Sequence, residues 1–135
     1  MAAGPTWVGA VAFATVKFAG YSVAGSRLNK AYAVPRGSPW VFGLARTFLG
    51  IAAGVTYSIY AERLALSHSE LGFFVWLLPV RLAEWLLILF VFFERHEFRF
   101  SRWATFAAFG TVWSYVLDVP AFLVAWLIPG GFWVC

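Results

Sequence analysis

Residues 71–93 read LGFFVWLLPVRLAEWLLILFVFF, and this stretch decides the class of fold. Only Arg81 and Glu84 interrupt its apolar character. An α-helix rises about 1.5 Å per residue, so about 20 apolar residues are enough to cross the hydrocarbon core of a bilayer. The sequence therefore predicts that this stretch forms a membrane-spanning helix.

On both sides of it, three other stretches are apolar over a similar length. They cover residues 6–25, 40–60 and 103–128. Four such stretches in succession leave too few polar residues to surround a water-soluble core. We therefore predict an all-α, polytopic membrane protein with four transmembrane helices in a bundle, forming one domain over residues 1–135.

Cap and stop signals lie between the apolar stretches. Ser38-Pro39 and Ser67-His68-Ser69-Glu70 are typical of helix starts, and Ser101 is a possible cap for the last helix. Pro129-Gly130-Gly131 is typical of a helix end. These signals predict the boundaries of the second, third and fourth helices.

The composition agrees with lipid as the main solvent. Charged residues make up 12% of the chain, whereas a soluble domain carries roughly a quarter. The formal net charge of +4 does not indicate nucleic acid, because most basic residues lie in two short connections. The single cysteine, Cys135, allows neither an internal disulfide nor a site of several thiolates.

The basic residues predict the orientation in the membrane. The first and third connections hold six of the ten, which are Arg27, Lys30 and Arg36, and Arg95, Arg99 and Arg102. Arg63 is the only basic residue of the second connection. Because cytoplasmic loops are enriched in Lys and Arg, we expect both termini on the non-cytoplasmic side of a plasma membrane, such as the bacterial inner membrane.

Small residues mark candidate helix contacts. Gly50 and Gly54 form a GxxxG pair in the second helix, and Gly20 with Ala24 repeats the spacing in the first. Small side chains let helix backbones approach closely, which lipid-embedded helices use in place of the hydrophobic effect. We interpret both pairs as packing positions.

Five ionisable residues lie inside the predicted spans: Lys17, Arg46, Arg81, Glu84 and Asp118. Each would cost roughly 2.5–3.5 kcal/mol at a helix centre, so we expect them to face the bundle interior. Counted from the cytoplasmic helix ends, Arg81 lies at ~18 Å and Asp118 at ~22 Å, and these two are predicted to pair. Lys17, at ~12 Å, is placed with Arg46 and Glu84 instead.

Two prolines lie next to the predicted Arg81–Asp118 pair in the sequence. Pro79 precedes Arg81 by two residues, and Pro120 follows Asp118 by two. Each proline removes one helical hydrogen bond, so we predict bends beside a polar pocket. Ser114 or Tyr115 could assist proton transfer there if they face inward.

Metal sites have weaker support. Two groups mix histidine with glutamate: Glu62, His68 and Glu70, and Glu94, His96 and Glu97. Neither has the ligand spacing of a known zinc site. We interpret both as solvated loop residues and expect neither a metal nor a cofactor.

Three functions remain open, in decreasing order of preference. The first is a non-catalytic subunit or assembly partner of a larger membrane complex, because the chain is small and has no recognised catalytic motif. The second is a small oligomeric transporter or channel with Arg81, Glu84 and Asp118 along its path. The third is an enzyme acting on a lipid-linked substrate, with Asp118 or Glu84 as acid or base. In each case the partners are the bilayer and a protein partner or second copy.

Overall fold

All regular secondary structure in the described part of the chain is helical. The computed structural model describes residues 7–33, 37–63, 70–95 and 97–127. Its helices are α1 (Trp7–Ala31), α2 (Pro39–Arg63), α3 (Glu70–Leu89) and α4 (Phe100–Leu127), and a π-helical turn, Phe90–Glu94, continues α3. These residues contain no strand, which confirms the all-α class. The predicted signals at residues 67–69 and 129–131, together with His68, His96 and Cys135, lie outside the described residues.

Three helical segments are long and apolar enough to cross a membrane. They are Trp7–Ala31, Pro39–Tyr57 and Val75–Glu94. Within the described residues α4 is not among them, although it is the longest helix at 28 residues. The three apolar helices fit an integral membrane protein.

The start of α2 is where the sequence predicts it. α2 begins at Pro39, and the Ser38 hydroxyl accepts a hydrogen bond from the Trp40 amide at 3.3 Å. Proline suits the first helical position because the amide it lacks would have no partner there. The cap of α4 differs, because Ser101 lies inside the helix, which begins one residue earlier.

The helix α1 continues six residues beyond Gly25, the predicted end of the first span. The helix continues to Ala31 because Gly25 serves packing: a Cβ there would lie 2.9 Å from the Phe42 ring. The actual end has Ala33 in the left-handed region, with φ 53°, and the Ala33 amide donates to the Lys30 carbonyl. This conformation closes the last turn of a helix.

The described residues form two compact units. Unit 1 contains α1, the first part of α2 up to Thr47, and α4 from Val112 onward. Unit 2 contains α2 from Phe48, all of α3 with its π turn, and α4 up to Thr111.

In unit 1, α1 packs closely on both of its neighbours. A Cβ on Gly20 would lie 2.3 Å from the Leu117 side chain of α4. A Cβ on Gly43 of α2 would lie 2.2 Å from the Ser22 hydroxyl and 2.9 Å from the Ser22 amide nitrogen. Backbones therefore approach at glycine, as expected of helices that pack in lipid.

In unit 2, tryptophans of α3 and α4 tie the helices together. Trp85 is almost fully buried, and a Cβ on Gly110 would lie 2.2 Å from its ring. The Trp103 indole donates to the Leu86 carbonyl at 2.8 Å. Gly50 and Gly54, the GxxxG pair of α2, are both buried.

Candidate functional site

A buried ion pair joins α1 to α4 in unit 1. The Lys17 ammonium contacts the Asp118 carboxylate, and their side chains are 3% and 8% exposed. The same ammonium donates to the Ser114 carbonyl at 3.3 Å. Two opposite charges removed from solvent stabilise each other only when their geometry and remaining hydrogen bonds are good. Lys17 meets this condition with two oxygen acceptors on one face of α4.

Ser114 connects this pair to two further polar side chains. The Tyr21 hydroxyl lies 3.2 Å from the Ser114 hydroxyl, and an Arg46 guanidinium nitrogen lies 3.5 Å from it. Ser114 is 1% exposed and Arg46 is 1% exposed. Lys17, Tyr21, Arg46, Ser114 and Asp118 thus form one hydrogen-bonded group, which we call the unit 1 cluster.

The Tyr21 ring supports both cations of the unit 1 cluster. The Arg46 guanidinium carbon lies 4.8 Å from the ring centroid, and the Lys17 ammonium lies 5.9 Å from it. The Phe13 ring is 5.4 Å from the same ammonium. Contacts between a cation and an aromatic face are stronger when both are desolvated. They lower the cost of holding two positive charges near one carboxylate.

The pairing of Lys17 differs from the sequence expectation, which grouped it with Arg46 and Glu84. The difference follows from the end of α1, because a helix ending at Ala31 moves Lys17 to ~21 Å from that end. Along the helix axes, Lys17 lies ~15 Å from Trp7, where α1 begins, and Asp118 lies ~14 Å from Leu127, where α4 ends. Equal depth lets an ammonium on α1 meet a carboxylate on α4.

Arg46 contacts Ser114, whereas the sequence placed Arg46 at the depth of Lys17 and Glu84. A guanidinium on a long stem reaches several ångströms beyond its own backbone position. Arg46 is therefore a member of the unit 1 cluster although its backbone lies nearer the α2 start. An approach of Arg81 to Asp118 stays a prediction.

Unit 2 holds the two remaining intramembrane ionisable residues. Arg81 is 2% exposed and Glu84 is 8% exposed, three residues apart on α3. Residues at this spacing lie on one face of a helix. Pro79 lies within the continuous helix α3 and Pro120 within α4, and the predicted bends at these prolines stay predictions.

A second ion pair lies where α3 ends and α4 begins. Glu94, in the π turn, accepts hydrogen bonds from the Arg102 guanidinium at 3.0 and 3.3 Å. It also accepts one from the Arg99 amide at 2.9 Å. Arginine is well matched to a carboxylate in this two-bond arrangement. Glu94 thus stabilises the connection between α3 and α4. Separately, the described residues contain no group of three His, Cys, Asp or Glu side chains that could hold a metal ion.

Sequence reasoning missed Tyr21. Its signal was available, since Phe13, Lys17 and Tyr21 are spaced by four residues and therefore share a helix face. The buried residues of α1 include all three. An aromatic residue one turn before and one turn after an intramembrane lysine is a pattern that points to a sheltered cation.

The unit 1 cluster brings an ammonium, a carboxylate and two hydroxyls together in a buried place. Such groups at membrane depth occur in proton relays and in interhelical contacts alike. A comparison with known protein families, with characterised proteins and with solved structures yields no match.

Proposed function

We propose that this protein crosses a plasma membrane four times, with both termini on the non-cytoplasmic side. The length of α4 supports a fourth span, because 28 residues extend ~42 Å. Its one charged residue in the last eighteen positions, Asp118, is buried against Lys17 and therefore costs less in lipid. Arg27 and Lys30 lie in the last turns of α1, and Arg95 and Arg99 lie between the π turn and α4, so both connections are basic, which supports the orientation.

Within this membrane protein, the unit 1 cluster is a proton-transport element, and the protein is a small transporter or channel. The observation that carries this proposal is the buried contact of Lys17 with Asp118. When the Asp118 carboxylate takes up a proton, its attraction to the Lys17 ammonium is lost. The ammonium then keeps the Ser114 carbonyl as an acceptor. Protonation therefore separates two groups that otherwise hold α1 and α4 together.

In this proposal the hydroxyls of Tyr21 and Ser114 extend the path of the proton beyond the ion pair, which contacts Ser114 at its carbonyl oxygen. Tyr21 and Ser114 are within hydrogen-bond distance, and each can donate and accept. The Ser114 hydroxyl also lies beside the Arg46 guanidinium. The positive charge of Arg46 repels an excess proton, so it favours release over retention at that hydroxyl.

The burial of Arg81 also favours transport over an assembly role. A cation that faced a partner would be exposed in the isolated chain, whereas Arg81 is 2% exposed. The chain covers this charge itself, so no second protein is needed to cover it.

The alternative function is a non-catalytic subunit or assembly partner of a membrane complex. The direct contact of Lys17 with Asp118 favours it as well, because a neutral interhelical pair fixes the register of α1 on α4. In that case the cluster contributes to folding and carries no proton.

Proton flux into liposomes distinguishes the two functions. The purified protein is reconstituted around a pH-sensitive dye, and a potassium gradient with valinomycin drives protons inward. We expect wild-type flux well above that of empty liposomes. Tyr21→Phe and Ser114→Ala should reduce it at least tenfold while the protein stays folded, because each removes one hydroxyl.

Tyr60→Phe is the matched control, since it removes an exposed hydroxyl from α2. It should leave the flux unchanged. Wild-type flux equal to that of empty liposomes would rule out proton transport. Co-purification of one membrane protein in fixed stoichiometry, together with that result, would favour the assembly role.

A further inference from the structure

A patch of exposed rings lies where α3 meets α4 in unit 2. Phe90 contacts Phe98 with ring centroids 6.3 Å apart, and Phe98 contacts Trp103 at 5.3 Å. Phe100 contacts Trp103 at 6.1 Å. Phe98 is 52% exposed and Phe100 is 68% exposed. Rings that contact one another and yet face outward are typical of a membrane interface.

Two arginines are close to these rings in the sequence. Arg95 and Arg99 are exposed, at the end of the π turn and just before α4. Their immediate acidic neighbours are Glu94, which binds Arg102, and Glu97, which is exposed. The connection therefore keeps a net positive charge after Glu94 and Arg102 neutralise each other.

The ion pair of Glu94 fixes this arrangement. Glu94 holds the Arg99 amide and the Arg102 guanidinium, so the backbone that carries Arg99 has a defined position. The Trp103 indole is held by the Leu86 carbonyl. Hydrogen bonds thus hold the backbone of Arg99 and the indole of Trp103, which reduces the entropy lost on binding.

We propose that this patch, formed by Phe90, Phe98, Phe100 and Trp103 with Arg95 and Arg99, binds the headgroup of an anionic phospholipid. The arginines provide donors for the phosphate, and the rings contact the first part of the acyl chains. This binding site is independent of the proton transport proposed above. It gives the protein a preference for anionic over zwitterionic lipid.

Native mass spectrometry of the detergent-purified chain measures this preference directly. Phosphatidylglycerol or phosphatidylcholine is titrated in, and the dissociation constant of the first bound lipid is measured. We expect phosphatidylglycerol to bind at least about tenfold more tightly. Arg95→Gln/Arg99→Gln should weaken its binding about 25-fold, or about fivefold for each arginine, and leave phosphatidylcholine unchanged.

The matched control is Arg27→Gln/Lys30→Gln, which removes two exposed cations at the end of α1. It should keep the preference for phosphatidylglycerol. Equal affinity of the wild type for both lipids would overturn the proposal, and so would equal losses in the two double variants. Displacement of phosphatidylglycerol by equimolar inorganic phosphate would also overturn it, because the ligand would then be a free anion.

Discussion

The two ion pairs of this protein differ in how far they are removed from water. In unit 1 both partners are buried, with Lys17 3% and Asp118 8% exposed. In unit 2 the Glu94 carboxylate is fully buried, but the Arg102 side chain is 26% exposed. The first pair also lies about midway along its helices, whereas the second lies at helix ends.

This difference in solvation changes what each pair does. A fully buried charge depends on its partner, because neither water nor salt can replace that partner. A pair with one partly exposed member exchanges its partner for water at a lower cost. We therefore expect the Lys17–Asp118 pair to decide whether unit 1 folds, and the Glu94–Arg102 pair to adjust the geometry of one connection.

The largest effect is expected from Lys17→Met. It leaves the Asp118 carboxylate buried beside an apolar side chain, which should lower the free energy of unfolding by about 3–5 kcal/mol. Lys17→Met/Asp118→Leu should recover most of this loss, because no charge is then left buried. Unfolding in mixed micelles, followed by circular dichroism, measures both. A double variant as unstable as the single one would show that the charge is not the cause.

Next in size is Gly43→Ala, which tests how closely the elements around the unit 1 pair are packed. Its new Cβ would meet the Ser22 amide nitrogen, a backbone atom that cannot rotate away. We expect a loss of about 1–3 kcal/mol in the free energy of unfolding. Gly20→Ala is the control, because it meets only the flexible Leu117 side chain and should cost less. The reverse order would mean that α4, and not α2, is the rigid neighbour of α1.

A smaller effect should follow Arg102→Gln in unit 2. The Arg99 amide still binds Glu94, and water reaches the vacated site, so we expect a loss of about 1 kcal/mol. Because the pair is partly exposed, 1 M salt should reduce the difference from the wild type. The same salt should leave the effect of Lys17→Met unchanged. Equal salt sensitivity of the two variants would contradict the comparison.

The smallest effect is expected from Tyr21→Phe, which keeps the ring over Arg46 and removes only the hydroxyl. The loss of one neutral hydrogen bond to Ser114 should lower the free energy of unfolding by about 0.5–1 kcal/mol. Thermal unfolding in detergent, compared with Tyr60→Phe, measures it. A loss as large as that of Lys17→Met would mean that the hydroxyl, and not the ion pair, holds α1 on α4.

The helices themselves were predictable because each apolar stretch and the Ser38-Pro39 cap act locally. Gly25 misled the prediction, since a glycine that ends a helix and one that admits a neighbouring ring look alike in sequence. Because the depth of Lys17 was counted from Gly25, it was estimated too close to the helix end, and Asp118 was not predicted as its partner. Which carboxylate meets Lys17 depends on the rotation of α4 about its axis, and no local sequence signal fixes that rotation.

Burial of all five ionisable residues of the predicted spans was expected from the cost of charge in lipid, and all five are buried. The role of Glu94 was not found, because its partner Arg102 lies eight residues away across a turn. The π turn brings the two together, and a π turn has no sequence signature comparable to a proline or a cap.

The π turn at Phe90–Glu94 determines how this segment responds to a change in chain length. It accommodates one residue more than an α-helical turn of the same rise. Deleting Phe92 would let the segment relax to an α-helix, and later side chains would keep about the same direction because the extra residue is the one removed. Glu94 would then still face Arg102, whereas one further inserted residue would rotate Glu94 by about 100° around the axis. The protein should therefore tolerate the loss of a single residue at this point far better than the gain of one.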